Sequence, residues 1–132
     1  MKCNELKKQY EVENNIKYDI VIRSRTDYFW FRSFNKNELI LAKDNILIPE
    51  EWAFKSVNSF AKSDVFAFGN NFLMDQYSQL FNYIDDYCKN FSYHPESLCG
   101  YHLMVKNIPV IETKRCVIFE YPSFRTEKYI SI

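Results

Sequence analysis

Tyr18-Asp19-Ile20-Val21-Ile22-Arg23-Ser24-Arg25-Thr26-Asp27 is the stretch on which the reading of this chain turns. Ile20, Val21 and Ile22 follow a polar opening and precede a charged end. An unbroken β-branched run of this kind predicts a strand buried on both faces, as in a parallel or mixed sheet. Side chains alternate along a strand, so Arg23, Arg25 and Asp27 share one side. Packing alone does not require two guanidiniums and a carboxylate at the end of a dry strand. In open α/β sheets ligands sit beyond the carboxyl ends of strands, which is where Arg25 and Asp27 fall. The competing structural explanation is that Arg23 pairs with Asp27 or Asp64 to close a sheet edge.

The chain has 132 residues, room for one domain with a real core. Hydrophobic residues make up 47 % and aromatics 18 %, which excludes general disorder. Seventeen basic residues balance seventeen acidic ones, so the basic excess of a nucleic-acid binder is missing. Most of the twelve Phe and ten Tyr are expected in the core. Cys3, Cys88, Cys99 and Cys116 form no Cys-x-x-Cys pair, and no histidine stands at zinc-finger spacing from them. Lys2, Glu5, Lys7 and Lys8 are incompatible with a hydrophobic signal segment, and no apolar stretch approaches a membrane span. Reduced thiols and a cytoplasmic location are the expectation.

Working outward, residues 3 to 15 predict a helix with a narrow apolar stripe of Leu6, Tyr10 and Val12, ended at Asn14-Asn15. Residues 28 to 34 read as an aromatic loop, 35 to 41 as a helical turn, and 45 to 49 as a short strand ended by Pro49. Residues 50 to 62 read as a loop anchored by Trp52 and Phe54. Ser63 to Gly69 predicts a second clear strand. One long helix from Asn71 to about Lys89 follows, with Leu73, Tyr77, Leu80, Phe81, Ile84 and Cys88 on its inner face and Asn70 or Asn71 as cap. His94-Pro95-Glu96-Ser97 is a helix start, with Pro95 at the first helical position and Glu96 in the first turn. That helix runs to about Lys106. Strands at 110 to 112 and 116 to 119 complete the set. Helices interleaved with strands give an α/β class with a mixed sheet flanked by helices.

Chemistry-bearing motifs are few. Walker loops, Gly-x-Gly-x-x-Gly and Gly-x-Ser-x-Gly are all missing from the sequence. Cys99 and His102 are three apart on one helix and within reach of each other, although packing is the commoner use of such a cysteine. His94 reads first as a helix cap and His102 as a satisfied core histidine. What remains are carboxylates at element ends: Asp27, Asp64 and Glu96. Carboxylates are the hard ligands that a divalent ion bound to diphosphate needs. Arg23 and Arg25 have the geometry to pair with phosphate oxygens.

Taken in order, Tyr18 to Asp27, then Ser63-Asp64-Val65-Phe66-Ala67-Phe68-Gly69, then His94-Pro95-Glu96-Ser97-Leu98 with Tyr101-His102-Leu103, resemble a glycosyltransferase-like family. That family has the GT-A nucleotide-diphospho-sugar transferase fold and occurs in bacterial polysaccharide clusters and large viruses. The resemblance spans residues 18 to 103. It implies a partial GT-A-like, Rossmann-related sheet and sugar transfer from a nucleotide-sugar donor to a glycan or other acceptor. It implies Mn²⁺ or Mg²⁺ held with diphosphate by Asp27, Arg23 and Arg25 beside the donor, and Glu96 with Asp64 as catalytic or acceptor-side carboxylates. The chain departs from the pattern at Arg25, where many GT-A enzymes carry the first Asp of Asp-x-Asp, and at Thr26, where members usually have Pro. Only one helix precedes Tyr18, so the resemblance also implies a missing amino-terminal half. An unpaired sheet edge and self-association are then expected. The alternative is a non-catalytic glycan- or protein-binding remnant of the same fold, using aromatics such as Trp30 and Trp52; a decayed, non-functional product is the third reading.

Overall fold

In this computed structural model, residues 2–25, 28–29, 33–50, 59–89, 93–113 and 119–120 are described. Helix α1 is Lys2–Glu13, strand β1 is Ile20–Ser24, β2 is Tyr28–Phe29, helix α2 is Lys36–Leu41 and β3 is Ile46–Pro49. They are followed by β4 (Phe66–Asn70), α3 (Asn71–Tyr77), α4 (Leu80–Tyr87), α5 (Pro95–Val105), β5 (Val110–Thr113) and β6 (Phe119–Glu120). The main sheet has the order β1-β4-β3-β5, and β2 pairs with β6 in a separate two-stranded ribbon. β4 runs antiparallel to both β1 and β3, while β3 and β5 are parallel. The chain is therefore α/β with a mixed sheet, as its sequence pattern predicts.

Strand alternation divides the core in two. Ile46, Ile48 and Ala67 pack with Leu73, Met74 and Tyr77 of α3 and with Cys99 and Leu103 of α5. Leu47, Phe66 and Phe68 build the opposite face with Ala42 and Ile111, and Phe34 lies with its ring centre 4.6 Å from that of Phe68. β3 is buried at all four residues. A parallel neighbour on one side, an antiparallel one on the other and two covered faces leave it no contact with water.

β1 corrects the first expectation. It is an edge strand, half-buried at Ile20 and Val21 and exposed from Ile22 onward, not a strand dry on both faces. Three β-branched residues satisfy the propensity for a strand, but burial is set by the neighbours, and among the described residues β1 has only β4 beside it.

The apolar stripe assigned to α1 is also corrected. Leu6, Tyr10 and Val12 are exposed, and the buried residue is Glu11. Its carboxylate accepts hydrogen bonds from the Tyr18 N–H at 3.0 Å and from Asn71 at 2.6 Å, and Lys7 Nζ lies 3.5 Å away. α1 is thus docked by polar contacts. It ends at Glu13, and Asn15 just beyond, with a φ of 50°, turns the chain into the left-handed region, as Asn107 does after α5.

The helix expected to run unbroken from Asn71 is two helices, α3 and α4, separated at Ser78 and Gln79. The physical cause lies in the carbonyls. Gln76 O accepts from Gln79 N–H and from His102 Nε2, and Ser78 Oγ donates to Met74 O at 2.8 Å. These bonds compete with the regular ladder. Within α4, Phe81 faces solvent and Tyr87 is buried. Asn70 caps α3 through Leu73 N–H. β4 continues through Gly69, where the sequence reading ended it.

Candidate functional site

Because β1 and β4 are antiparallel, the end of one lies beside the start of the other: Arg25 N–H donates to Val65 O at 3.0 Å. β3 and β5 run parallel to each other and antiparallel to β4, so their carboxyl ends reach this same edge. The edge therefore gathers three strand ends and Asp64, which precedes β4. A cleft of about 630 Å³ opens beside the β1 end of this edge, between β1, α1, α3, α4 and the start of α5. Arg23, Ser24 and Asp64 line it, over a floor that includes Met74, Tyr77 and Leu98.

The charges around the cleft are arranged unequally. Lys7 is committed to Asp75 at 2.9 Å, to Glu11 and to Asn71. Burial pushes the Asp75 carboxyl up, but Lys7 and Lys8 more than offset this and hold it below the usual range. The Arg23 guanidinium carbon stands 5.3 Å from the centre of the Tyr77 ring, within range of a cation–π contact. Beneath them is a buried pair: Cys99 Sγ lies 3.8 Å from Tyr77 Oη and 3.8 Å from Ser63 O. Burial pushes the Cys99 thiol up to about 12; the Tyr77 bond and the Arg23 charge lower it, and Asp64 and Glu96 raise it. Burial first, then Cys99, drives the Tyr77 hydroxyl well above its ordinary value. Arg23 and Asp64 both act on each member of this neutral pair.

α5 supplies the opposite wall. His94 is its cap: Nδ1 accepts from Ser97 N–H at 3.3 Å and from Ser97 Oγ at 2.8 Å. Those bonds leave the proton on Nε2, which faces Glu96 Oε2 at 3.5 Å. Gly100 then brings the helix against the Phe60–Ala61 backbone, for a Cβ there would stand 1.8 Å from Phe60 O. His102 is locked as the Nε2–H form, donating to Gln76 O at 2.9 Å while Nδ1 accepts from Tyr87 Oη at 3.1 Å.

Of the residues singled out in the sequence, Arg23 and Asp64 line the cleft together. Arg25 follows β1, exposed, with its backbone tied to Val65. Glu96 adjoins the lining residue Pro95 and is drawn toward His94. Asp27, Trp30, Trp52, Phe54 and Cys116 lie outside the described residues. Cys99 and His102, within reach of each other by spacing, take different partners. Sequence reasoning assigned Tyr77 to packing and missed its place beneath Arg23; the signal was a hydroxyl-bearing ring on an otherwise apolar helix face. Among the described residues no group of three His, Cys, Asp or Glu side chains is placed to hold a metal ion. No described helix is long and apolar enough to cross a membrane.

Comparison with protein-family models, with curated proteins and with solved structures finds no match.

Proposed function

We propose that this chain is a glycosyltransferase-like domain that binds the diphosphate of a nucleotide-sugar at the cleft edge of its mixed sheet. The observation that carries the proposal is the joint position of Arg23 and Asp64 on one cleft beside the carboxyl end of β1. Arg23 is the phosphate-binding group. Its ring contact orients the planar guanidinium and leaves its N–H fork for paired oxygens. Asp64, on the same cleft lining, is the carboxylate that accepts a proton from an acceptor hydroxyl. Glu96, with His94, is a second carboxylate on the acceptor side. The buried Tyr77–Cys99 pair excludes water beneath the reacting groups and contributes no charge of its own at neutral pH.

A Mn²⁺ or Mg²⁺ ion belongs to the same reading through Asp27. The described residues place Asp64 alone among carboxylates on the cleft lining, which is not a ligand set by itself.

The exposed aromatics Phe81 and Tyr93 on the cleft wall favour a second reading, a glycan-binding remnant without transfer activity. Thermal melts with a panel of nucleoside diphosphates, each with and without Mn²⁺, separate the two. Binding to the native state raises the melting temperature. Stabilisation by one diphosphate, lost in Arg23→Ala and retained in Phe81→Ala, supports the transferase reading. Stabilisation by oligosaccharide alone, lost in Phe81→Ala, supports the remnant. No shift from either class sinks both.

A further inference from the structure

We infer that the acceptor taken by this cleft is a lipid-carried sugar, an uncharged headgroup at Asp64 joined to a hydrocarbon chain that lies along α4. Its role as acceptor rests on the transfer reading above, and its chemistry rests on the walls of the cleft.

The walls differ by element. α1 contributes Asn4 and Lys7, both polar. α4 contributes Leu80, Phe81 and Ile84, which share one face at the three-four spacing of a helix. Its Tyr83 and Tyr87 pack instead with His102 of α5. β1 adds Ile22 to the apolar lining. Phe81 is 63 % exposed and Ile22 51 %, so this apolar surface is open to a ligand rather than sealed in the core.

A hydrocarbon chain is the match for the α4 wall. Leu80, Phe81 and Ile84 neither give nor accept hydrogen bonds, so sugar hydroxyls laid on them would lose water without replacement. A methylene chain has no such groups to leave unpaired, and its removal from water favours binding. The cleft volume of about 630 Å³ falls in the range of about 300–1,000 Å³ that encloses one small ligand. That size suits a single lipid and not the face of a bilayer.

Charge selects the headgroup. Of the charged side chains on the lining, Lys7 is spent on Asp75 and Glu11, and Arg23 belongs to the donor diphosphate. Asp64 is left to meet the acceptor. A carboxylate accepts hydrogen bonds from hydroxyls and repels an anion, so the headgroup is a neutral polyol.

Calorimetric titration of the 132-residue chain with butyl, hexyl and octyl β-glucoside, each below its critical micelle concentration, tests this. Affinity should rise about two- to fourfold per added methylene. Phe81→Ser and Ile22→Ser should each flatten that rise, while Met104→Ser, exposed on α5 and off the cleft lining, should leave it intact. Far-ultraviolet melts establish that each variant is folded, and the two cleft variants serve as substitutes for each other. Affinity indifferent to chain length overturns the inference. So does a rise that survives both cleft variants or is lost equally in Met104→Ser, which would mark unspecific detergent binding. Affinity that grows with added glucose units and not with methylenes also overturns it, in favour of a glycan on this wall. Parallel titration with nucleoside diphosphates keeps the two readings apart. A diphosphate response without a chain-length rise overturns the lipid alone, whereas a chain-length rise without any diphosphate response keeps the lipid site and overturns its role as acceptor.

Discussion

The guanidinium of Arg23 lies over the ring of Tyr77, 5.3 Å from its centre. A residue on an edge strand is thereby tied to a fully buried residue of the neighbouring helix. The contact fixes where the positive charge sits on the cleft. Arg23 is exposed, so the contact contributes modestly to stability, about 0.5–1 kcal/mol. Arg23→Ala should shift urea unfolding by no more than this while removing the diphosphate response. Arg23→Lys should keep the charge and recover only part of that response, because a point charge lacks the paired fork. Equal responses from wild type and Arg23→Ala would remove Arg23 from the site.

Gly100 offers a test of the cleft wall. A methyl group there meets Phe60 O at 1.8 Å, and that oxygen is backbone. Ala in a helix is worth about 1 kcal/mol over Gly, but α5 must move away from residues 60–61 to admit it. Overpacking wins, and Gly100→Ala should destabilise by about 3 kcal/mol in denaturant unfolding. A neutral or stabilising result would show that α5 does not approach residues 60–61 so closely.

His102 gives the fold an acid-sensitive point. Burial lowers its pKa, opposed by the Gln76 carbonyl and aided by Lys106. The unfolded chain titrates near the ordinary 6.5, so it binds the proton first as pH falls. Stability from the neutral ring is complete above about 6.5 and declines as pH drops from there through the lower folded value. Melting temperature should fall over that window, and His102→Gln should flatten the slope. The variant should also lose about 1–3 kcal/mol at neutral pH, because Tyr87 or Gln76 is left without its partner. An unchanged slope in His102→Gln would assign the titration elsewhere.

Thiol reactivity should separate two cysteines cleanly. Cys3 is exposed, and Cys99 is buried with its pKa near 12. The thiolate is the reactive form. Residue-resolved alkylation of the native protein should modify Cys3 promptly and Cys99 only at the rate of unfolding. Fast native labelling of Cys99 would contradict its burial against Tyr77 and Ser63.

Much of the fold was legible because local chemistry and tertiary structure agreed. Asn35 with Glu38, Asn70, and His94 with Pro95 start helices where capping rules place them. Asn15 turns the chain just beyond the end of one. The failures arise where distant partners decide. β1 has the residues of an interior strand and stands at an edge, because sheet order is not encoded in a five-residue window. The helix break at Ser78 depends on a carbonyl captured by His102, twenty-six residues away in sequence. α1 is held through Glu11 and Lys7, which carry no periodic apolar signal. Arg23 and Asp64 were each legible as chemistry-bearing residues at strand ends, and both line one cleft. Tyr77 beneath Arg23 depended on strand pairing that spacing alone does not reveal.

The parallel pairing of β3 with β5 has a consequence for biosynthesis. Ile46 must wait for Val110, and Pro49 for Thr113. During translation β3, the driest strand of the sheet, is made early and stays without one neighbour until the ribosome has passed position 113. Such long-range pairing slows folding and prolongs exposure of apolar backbone. The nascent chain is then most dependent on chaperones while α3, α4 and α5 are being synthesised, and pausing there should lower the yield of folded protein more than pausing earlier.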